Sequence, residues 1–486
     1  MRVGAPDSSL TGSAGVVALA ELVERLGVIG ALDAAVGPIK TRARGLTGGQ
    51  LLVAMAQCQL LDGTFLAALD RQRQDTAGQL LSCVPAVPAR TANSLARRFG
   101  AAQRAGVETG LAAVLARAVP LLPVARRGAL LGQAPTIDLD STDVEVYGSR
   151  KQGVAYNYCG QRAGRPHLAT WAQAGVTLAA ELLAGNDDVR PRAAGLLRRA
   201  LAALPEKVRP DPDRPHPQGW RPAVRADAGY FSGELARAAV QAGCDFAIAA
   251  KRTTAMWRAY GALSEDEWVD ATGMPGAQVA ACDHAPAGWP PDSYTIIRRV
   301  RVDADTISAD VRSRRRRTIA KDQLALALSG QATTVYAVSF VVTNIPTSSH
   351  DGSHGGPGEG PGDPGAYEHP TDVERWFRRR TDIEDRIREA KLGAARRHLP
   401  SGARDVNAVW MWAALIAGNL SVLLQALTGL DQGPHGRAHG ARLRHEVLRV
   451  PARVLAHARG LTLRLPPGPQ LLPEILSRLR ALPTHP

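Results

Sequence analysis

The chain has 486 residues and a mass of 51.5 kDa, enough for two to four domains with sizeable hydrophobic cores. Hydrophobic residues make up 45% of it, which excludes a wholly disordered chain. Lys and Arg outnumber Asp and Glu by 59 to 45, and this net charge of +14 favours a polyanionic partner, nucleic acid first and an anionic membrane second. A bias towards Arg codons gives the same excess, so composition alone leaves these interpretations open.

Cysteine usage and the N-terminus indicate a cytoplasmic protein. The five cysteines are scattered and form no Cys-x-x-Cys pair, which argues against a disulfide framework or a zinc ribbon. No basic segment followed by an apolar one marks the N-terminus, so no signal peptide is expected. Residues 406–430 are apolar and long enough to span a bilayer, but they include Asn407, Asn419 and Gln425. We predict a buried helix of a soluble core there, and no membrane partner.

Residues 1–130 are expected to form a helical N-terminal domain. Apolar residues recur at helical spacing over 15–35, 47–61 and 106–122. The segment 90–99, RTANSLARRF, has a basic face that fits either a helix-turn-helix in contact with DNA or a solvated helix. The domain is therefore a candidate for binding DNA ends.

Residues 131–250 carry the pattern of an α/β core. Ser232 is a suitable N-cap for a helix that follows one strand and precedes another, and such crossovers imply parallel strands. The predicted elements are strands at 136–146, 168–174, 222–227 and 245–250 and a helix at 232–241.

The α/β rhythm stops at residues 251–345, which we interpret as a β-rich insertion with strands at 279–282, 294–302 and 334–343. The charge run RSRRRR lies between the last two of these strands. Residues 346–370 hold 7 Gly and 5 Pro and are typical of a flexible loop. Helical pattern returns over 371–430, taken as the second part of the core and including a helix at 371–397, and residues 431–486 form a basic C-terminal region.

Two acidic positions lie on or after predicted strands. Asp140, with Asp138 on the same strand face, is costly to bury without cations or partners, and the alternative is an exposed strand face. The Asp-x-Asp pair alone is a weak motif that also holds a metal in nucleotide-sugar transferases. Asp227 falls at the C-terminal end of a strand, the edge at which open α/β sheets bind ligands, although a turn or capping Asp fits the same pattern.

A third acid, Glu384, lies in the predicted helix ERWFRRRTDIEDRIREAKLG. At 100° per residue, Phe377, Arg380, Glu384 and Lys391 share a stripe about 60° wide. This arrangement fits an intrahelical salt-bridge ladder, or a metal carboxylate with two cations placed for phosphates.

Carboxylates on a first strand, at a later strand end and on a late helix are the way an RNase H-like nuclease assembles its site. Oxygen ligands converging on hard cations indicate Mg²⁺. Two ions about 3.5–4 Å apart activate the attacking oxygen and stabilise the leaving oxygen in phosphodiester chemistry.

On these motifs the sequence resembles DDE-type insertion-sequence transposases, which have an RNase H-like core interrupted by a β-rich insertion. One branch has Tyr, two residues, Arg, three residues, Glu, six residues and Lys, and Phe377, Arg380, Glu384 and Lys391 match it with Phe in place of Tyr. The strand motifs IDLDST and ADAGY also match. The resemblance is closest to the thirteen-eighty insertion-sequence family, and it covers roughly residues 15–470.

The resemblance implies an α/β fold, with an RNase H-like catalytic core, a β-rich insertion and a helical N-terminal domain. Asp140, Asp227 and Glu384 would hold two Mg²⁺, for which Mn²⁺ substitutes, and Arg380 and Lys391 would contact DNA phosphates. The enzyme would cut double-stranded DNA at the terminal inverted repeats of a bacterial element and join the 3′-hydroxyl to target DNA. A homodimer on DNA and a nucleoid-associated location in the cytoplasm follow from the same resemblance.

The resemblance also implies that one tryptophan of the insertion, Trp257, Trp268 or Trp289, stacks on a flipped base. The loss of the Tyr hydroxyl at Phe377 removes at most one hydrogen bond to a phosphate. Two other interpretations remain at this point. One is a DNA-binding descendant of such an enzyme without transposition activity, and the other is the nucleotide-sugar transferase, which leaves Asp227 and Glu384 unexplained.

Overall fold

A computed structural model describes residues 1–42, 44–213, 216–217, 219–347, 367–381, 398–433, 436–458, 460–468 and 470–485. In these ranges the chain forms a mixed α/β structure. The helices are α1 (Val16–Arg25), α2 (Val28–Val36), α3 (Gly48–Leu60), α4 (Ala67–Gln74), α5 (Thr76–Gln79), α6 (Ala89–Ala96), α7 (Ala101–Ala118), α8 (Val124–Leu131), α9 (Arg190–Ala202), α10 (Gly233–Gln241), α11 (Thr254–Ala262), α12 (Lys321–Leu328), α13 (Pro370–Arg378), α14 (Arg404–Thr428), α15 (Gly440–Leu443) and α16 (Leu472–Arg480).

The strands are β1 (Leu10–Thr11), β2 (Thr136–Ser141), β3 (Val144–Glu145), β4 (Ala155–Tyr156), β5 (Arg162–Trp171), β6 (Val176–Ala184), β7 (Ala223–Ala226), β8 (Asp245–Ala249), β9 (Val269–Asp270), β10 (Ala277–Cys282), β11 (Tyr294–Asp303), β12 (Thr334–Thr343), β13 (Ala452–His457) and β14 (Gly460–Arg464). The strands predicted within 131–345 all have counterparts here. β6 and the β13–β14 hairpin were not predicted.

The N-terminal 131 residues are helical, as predicted, apart from the short strand β1. The apolar segment 15–35 forms two helices because Gly27 adopts a left-handed φ of 56° between α1 and α2. Helix α3 begins with a capping box, in which Thr47 and Gln50 exchange side-chain to backbone hydrogen bonds of 3.2 and 3.0 Å. The Gly- and Ala-rich face of α3 lets it pack closely inside the structure, where it is almost wholly buried.

One mixed sheet contains the strands β2 to β12. Its order is β3-β5-β2-β7-β8-β12-β11-β10-β9, with β4 and β6 also paired to β5. β6, β5 and β2 are antiparallel neighbours, whereas β2, β7 and β8 run parallel. The crossover from β7 to β8 passes through α10, for which Ser232 is the N-cap as predicted.

The strands of the 251–345 segment extend this same sheet. β12 pairs antiparallel with β8, and β11, β10 and β9 follow outward in order. The continuous pairing of β11 with β12 over ten positions explains the β-rich pattern of the sequence.

Helix α14 is the one helix in the described residues that is long and apolar enough to cross a membrane. In its most apolar 18-residue stretch, 89% is buried inside the structure. It packs against α3 and β6. Its polar residues have internal partners: Asn419 accepts from the N–H of Thr177 and donates to the Thr177 carbonyl at 2.8 and 2.9 Å. This is the buried core helix that the sequence predicts.

The C-terminal region returns to the N-terminus. β13 pairs with β14 and, on its other side, with β1, so that Leu10 faces Arg453. Helix α16 packs on α1 and α14. The region is basic, as predicted, but it is also folded onto the N-terminal helices.

Candidate active site

Asp140 and Asp227 lie side by side at the carboxyl ends of two adjacent parallel strands. Asp140 is the penultimate residue of β2, and Asp227 directly follows β7. The two strands are in register, with Leu139 opposite Ala226, so the next position on each strand carries the acid. This edge of a parallel sheet is where α/β proteins bind ligands. The sequence predicts that position for Asp227, whereas Asp140 was expected inside a longer strand and lies at the edge because β2 ends at Ser141.

The guanidinium of Arg380 bridges these two carboxylates. Its Nη2 lies 3.4 Å from Oδ1 of Asp140 and 3.9 Å from Oδ2 of Asp227. The side chains of Arg380 and Asp140 are each 12% exposed, while that of Asp227 is 46% exposed, so the site is open to solvent on the Asp227 side. The structure therefore brings together three of the predicted site residues.

Backbone N–H groups hold both carboxylates. Oδ1 of Asp140 accepts from the N–H of Ser141, and Oδ1 of Asp227 accepts from the N–H of Gly229, each at 2.8 Å. Asp227 is the N-cap of the short 3₁₀ turn Ala228–Tyr230, so its capping role and its place at the site coincide. A Cβ at Gly229 would lie 2.9 Å from Oδ1 of Asp227, so a glycine keeps this contact unstrained.

Asp138 is not a ligand of the site, and the exposed-face interpretation of this strand is wrong. Asp138 is 1% exposed and Asp140 8% exposed. Asp138 accepts two hydrogen bonds from the buried guanidinium of Arg225, at 2.7 and 2.8 Å. Asp138 and Arg225 are cross-strand partners on β2 and β7. Because Arg225 occupies both carboxylate oxygens of Asp138, we leave Asp138 outside the candidate site.

Arg225 also connects this pair to α13. Its Nη1 donates to the carbonyl of Trp376 at 2.6 Å, and its guanidinium lies 5.0 Å from the Trp376 ring centroid. Nε1 of Trp376 donates to Oγ1 of Thr136 at 3.3 Å. We call Asp138, Arg225 and Trp376 the buried clamp. It joins the last turn of α13 to β2 and β7, four residues before Arg380.

The stripe predicted on a continuous helix over 371–397 needs correction in its described part. Helix α13 ends at Arg378, and a turn follows in which the N–H of Arg380 donates to the carbonyl of Phe377 at 3.0 Å. Phe377 is half-buried and packs with Val373 and Trp376. Glu384 and Lys391 lie outside the described residues, so their positions relative to Arg380 stay predictions.

The carboxylate oxygens of Asp140 and Asp227 are suitable ligands for a hard divalent cation. Two carboxylates converge on one positively charged nitrogen, and oxygen ligands of this kind are those that Mg²⁺ and Mn²⁺ take. Among the residues that the structure describes, no group of three or more His, Cys, Asp or Glu is placed to hold a metal. The third carboxylate that the sequence predicts for this edge, Glu384, lies outside the described residues.

Two further side chains lie near the site, and neither was predicted from the sequence. Tyr230 is 1% exposed, and burial, reinforced by the charges of Asp140 and Asp227, raises the pKa of its hydroxyl well above the ordinary value. The ring of His167, which is opposite Ser141, lies 5.6 Å from the Tyr230 ring. The ADAGY motif contains Tyr230, so that signal was available. His167 is brought near only by strand pairing.

The three tryptophans of the insertion have different surroundings. Trp268 is 8% exposed and its ring lies 4.2 Å from the Arg299 guanidinium. Trp257 packs edge-on against Phe340. Trp289 lies 5.1 Å from Phe231, the residue that follows the Asp227 turn. Of the three, Trp289 contacts the segment that leaves the site.

Comparison with known proteins gives one full-length match. A family model described as Transposase DDE domain group 1 matches residues 2–484. No curated protein matches the chain. Six chains of solved structures match, among them a piggyBac transposase in a cryo-EM synaptic complex with hairpin DNA. That chain is 9% identical with a TM-score of 0.39, over 88% of this chain and 78% of that one.

Proposed function

We propose, since this chain belongs to the Transposase DDE domain group 1 family and is therefore a DDE transposase, that it cuts DNA at the ends of a bacterial insertion sequence and joins the freed 3′-hydroxyl to target DNA. The observation that carries this proposal is the pair Asp140 and Asp227, which reach one guanidinium from the ends of adjacent parallel strands. Assignment to the thirteen-eighty branch stays a prediction from the motifs.

The strand order supports an RNase H-like core. The sequence β6-β5-β2-β7-β8, with three antiparallel strands followed by two parallel ones, is the arrangement we expect of that fold. Asp140 on its first strand and Asp227 after its fourth are then in the positions of the first two acids. The segment 251–345 enters after the fifth strand, as an insertion before the final Glu requires.

We assign Asp140, Asp227 and Glu384 as the carboxylates that hold two divalent cations, Mg²⁺ or in its place Mn²⁺. When bound, the cations supply activation of the attacking oxygen and stabilisation of the leaving oxygen. Asp227 is oriented for this role by the Gly229 N–H, and Asp140 by the Ser141 N–H. The positively charged guanidinium of Arg380 lies between the two carboxylates, which supports the fit of this site to a cation.

Arg380 and, on the predicted helix, Lys391 are the residues we assign to DNA phosphates beside the cut. A guanidinium gives a phosphate two parallel hydrogen bonds, and Arg380 has only 12% of its side chain exposed, so it is held in place for such a contact. Arg97 and Arg98, exposed after the buried face of α6, make the N-terminal domain a candidate for end binding. Trp289 is the tryptophan we assign to a flipped base, and a dimer on DNA remains part of the proposal.

The test is nicking of element-end DNA by the purified chain in Mg²⁺. Asp140→Asn, Asp227→Asn and Glu384→Gln should each lower the rate at least about 100-fold. Asp188→Asn, which changes an exposed acid paired with Arg190, is the matched control and should cut at the wild-type rate. If the three variants cut like wild type, the site assignment is wrong.

The alternative, a DNA-binding descendant without transposition activity, gives a different result in the same assay. The wild-type chain would then bind element ends but fail to nick them in either Mg²⁺ or Mn²⁺. Two acids that remain aligned across separate strands favour the active enzyme.

A further inference from the structure

Three tyrosines stand exposed on the segment between β2 and β5. The segment 144–162, which we call the tyrosine hairpin, contains β3, β4 and the turn into β5. Tyr147, Tyr156 and Tyr158 are 89%, 69% and 92% exposed. In the described chain only one other aromatic ring, that of Phe65, is exposed to a comparable degree. An aromatic ring that stays in water does not gain the favourable free energy of burial. Three such rings within twelve residues therefore indicate a binding surface.

The turn that presents Tyr156 and Tyr158 is held rigidly. Asn157 lies between them and is 7% exposed. Its Oδ1 accepts from the N–H groups of Cys159 and Gln161 at 3.0 and 2.9 Å, and its Nδ2 donates to Asp143 at 2.8 Å. Because these bonds fix the backbone on both sides of Asn157, little conformational entropy of the backbone is lost when the two neighbouring rings bind a ligand.

Similar bonds hold the rest of the tyrosine hairpin. Arg165 contacts both oxygens of Asp143 at 2.8 and 3.2 Å. Arg162 donates to the carbonyls of Gly148 and Lys151 at 2.6 and 3.1 Å, which ties the turn after Tyr147 to β5. The exposed rings therefore belong to a preorganised element.

The tyrosine hairpin projects from the edge of the sheet that carries the two site acids. Asp140 is opposite Leu168 on β5, and Tyr156 is opposite Arg162 on the same strand. These two positions on β5 are six residue steps apart, which corresponds to about 20 Å at the rise of an extended strand. A strand of DNA cut at Asp140 and Asp227 reaches this distance within a few nucleotides.

The charge around the rings is positive. Residues 143–165 contain four basic residues, Arg150, Lys151, Arg162 and Arg165, against the acids Asp143 and Glu145. The pKa of the Tyr158 hydroxyl is raised, chiefly by Cys159, and Arg314 of the Arg-rich run opposes that shift weakly.

We propose that the tyrosine hairpin binds unpaired nucleotides of the DNA strand next to the cleavage site, by stacking of bases on Tyr147, Tyr156 and Tyr158. This inference rests on the proposed function in taking DNA as the substrate at this edge. Base faces are buried in a duplex and accessible in unpaired DNA, and every base offers such a face to an aromatic ring. The basic residues attract the phosphates between the stacked bases.

The experiment measures binding of the full chain to fluorescent element-end DNA in EDTA, where cutting is absent. One probe carries a short unpaired flank beyond the end, and the other is fully paired. Wild type should bind the unpaired probe more tightly. Alanine at each of the three tyrosines should cost about five-fold or more on that probe alone, while Tyr156→Phe and Tyr158→Phe keep wild-type affinity. Phe65→Ala, the remaining exposed ring, is the matched control and should change nothing.

Equal affinity of wild type and the triple alanine variant for the unpaired probe overturns the inference. Equal loss on both probes also overturns it, because the surface then binds duplex DNA. A change in the elution volume of the triple variant without DNA overturns it in favour of contact between copies of the chain. Nicking is scored separately, so a chain that fails to cut but shows the tyrosine-dependent preference refutes the proposed function and leaves this surface assigned.

Discussion

At the scale of single residues, the proposed site depends on how the Asp227 carboxylate is directed. The Gly229 N–H fixes Oδ1, which leaves Oδ2 facing Arg380. Asp140 is held in the same way by the next residue along the chain. The two carboxylates are thus set by local backbone geometry, which explains why short motifs such as IDLDST and ADAGY identify them.

Gly229→Ala should move the Asp227 carboxylate, since the added Cβ would lie 2.9 Å from its Oδ1. We expect nicking to fall about 10- to 100-fold because small misplacements of reacting groups have effects of that size. Thermal unfolding should change little, because residue 229 is exposed. Gly128→Ala, with no atom within 4 Å of its Cβ, is the control. A Gly229→Ala protein that nicks at the wild-type rate contradicts the assigned role of this turn.

Asp245, at the start of β8, gives a prediction about stability and pH. Burial raises the pKa of this carboxyl to about 6 from 3.8, against the opposing effects of Arg221 and Asn344. The folded chain therefore holds the Asp245 proton more tightly than the unfolded chain does. The free energy of unfolding is highest below about pH 4, where the carboxyl is protonated in both states, and it falls as pH rises through 6.

Asp245→Asn removes the titrating carboxyl and with it the fall in stability between pH 4 and pH 7. The free energy of unfolding of the variant relative to wild type should therefore rise by about 3 kcal/mol between pH 4 and pH 7. Urea unfolding of both proteins at four pH values measures it. A difference that is the same at every pH contradicts the raised pKa.

At the scale of elements, the junction of α13 with β2 and β7 places Arg380. Arg225 adds a charged donor to the Trp376 carbonyl, which also accepts from the Arg379 N–H at 3.2 Å, and the end of a helix favours such a cation. The salt bridge is fully desolvated, so its net contribution to stability is small, but removal of one partner leaves a buried charge. Its role in the site is then to set the direction in which the chain leaves α13.

Arg225→Met should destabilise the chain by about 3–5 kcal/mol, because Asp138 stays charged and buried. The double variant Asp138→Leu, Arg225→Met should recover most of that stability, since two apolar side chains replace the pair. Nicking should stay low in the double variant, because the hydrogen bond from Arg225 to the Trp376 carbonyl is lost and Arg380 is displaced. Denaturant unfolding and nicking rates measure the two effects separately. A stable double variant that cuts like wild type would show that the clamp has no positioning role.

Much of the element pattern could be predicted from local sequence, and the failures have physical causes. β12 begins and ends as predicted because its sequence, TVYAVSFVVT, is rich in β-branched and aromatic residues. β6, VTLAAELLA, was missed because Ala and Leu favour helices, and only pairing with β5 makes it a strand. Arg225 was missed although it precedes Asp227 by two residues, as Asp138 precedes Asp140. The pairing of Arg225 with Asp138 depends on the register of β2 and β7, which the local sequence does not indicate.

At the scale of the whole molecule, long-range pairing sets the arrangement. β1 joins β13 across almost the entire chain, and the sequence has no local signal for that contact. The convergence of Asp140 and Asp227 was predicted from the RNase H-like arrangement of the acids, whereas only Asp227 was predicted to lie at a strand end. The net charge of +14 fits a DNA-binding enzyme, and its Arg-rich stretches are spread over several elements.

The run 312–317 offers a measurement of that charge. Arg314 and Arg315 are exposed, and replacement of both by Ala should lower the slope of log affinity against log salt for element-end DNA by about 2. The loss of affinity should be similar for different DNA sequences, since phosphates carry no sequence information. The control is Arg478→Ala, Arg480→Ala in α16. An unchanged slope in the Arg314 and Arg315 variant contradicts a DNA track at this run.

The central claim is that Asp140 and Asp227, with Glu384, hold divalent cations. Anomalous diffraction from crystals of the chain soaked in Mn²⁺ tests it most directly, because the scattering locates the ion without reference to activity. We predict an anomalous peak in contact with both Asp140 and Asp227 that disappears in Asp227→Asn. Manganese bound elsewhere, with Arg380 still between the two carboxylates, would contradict the account.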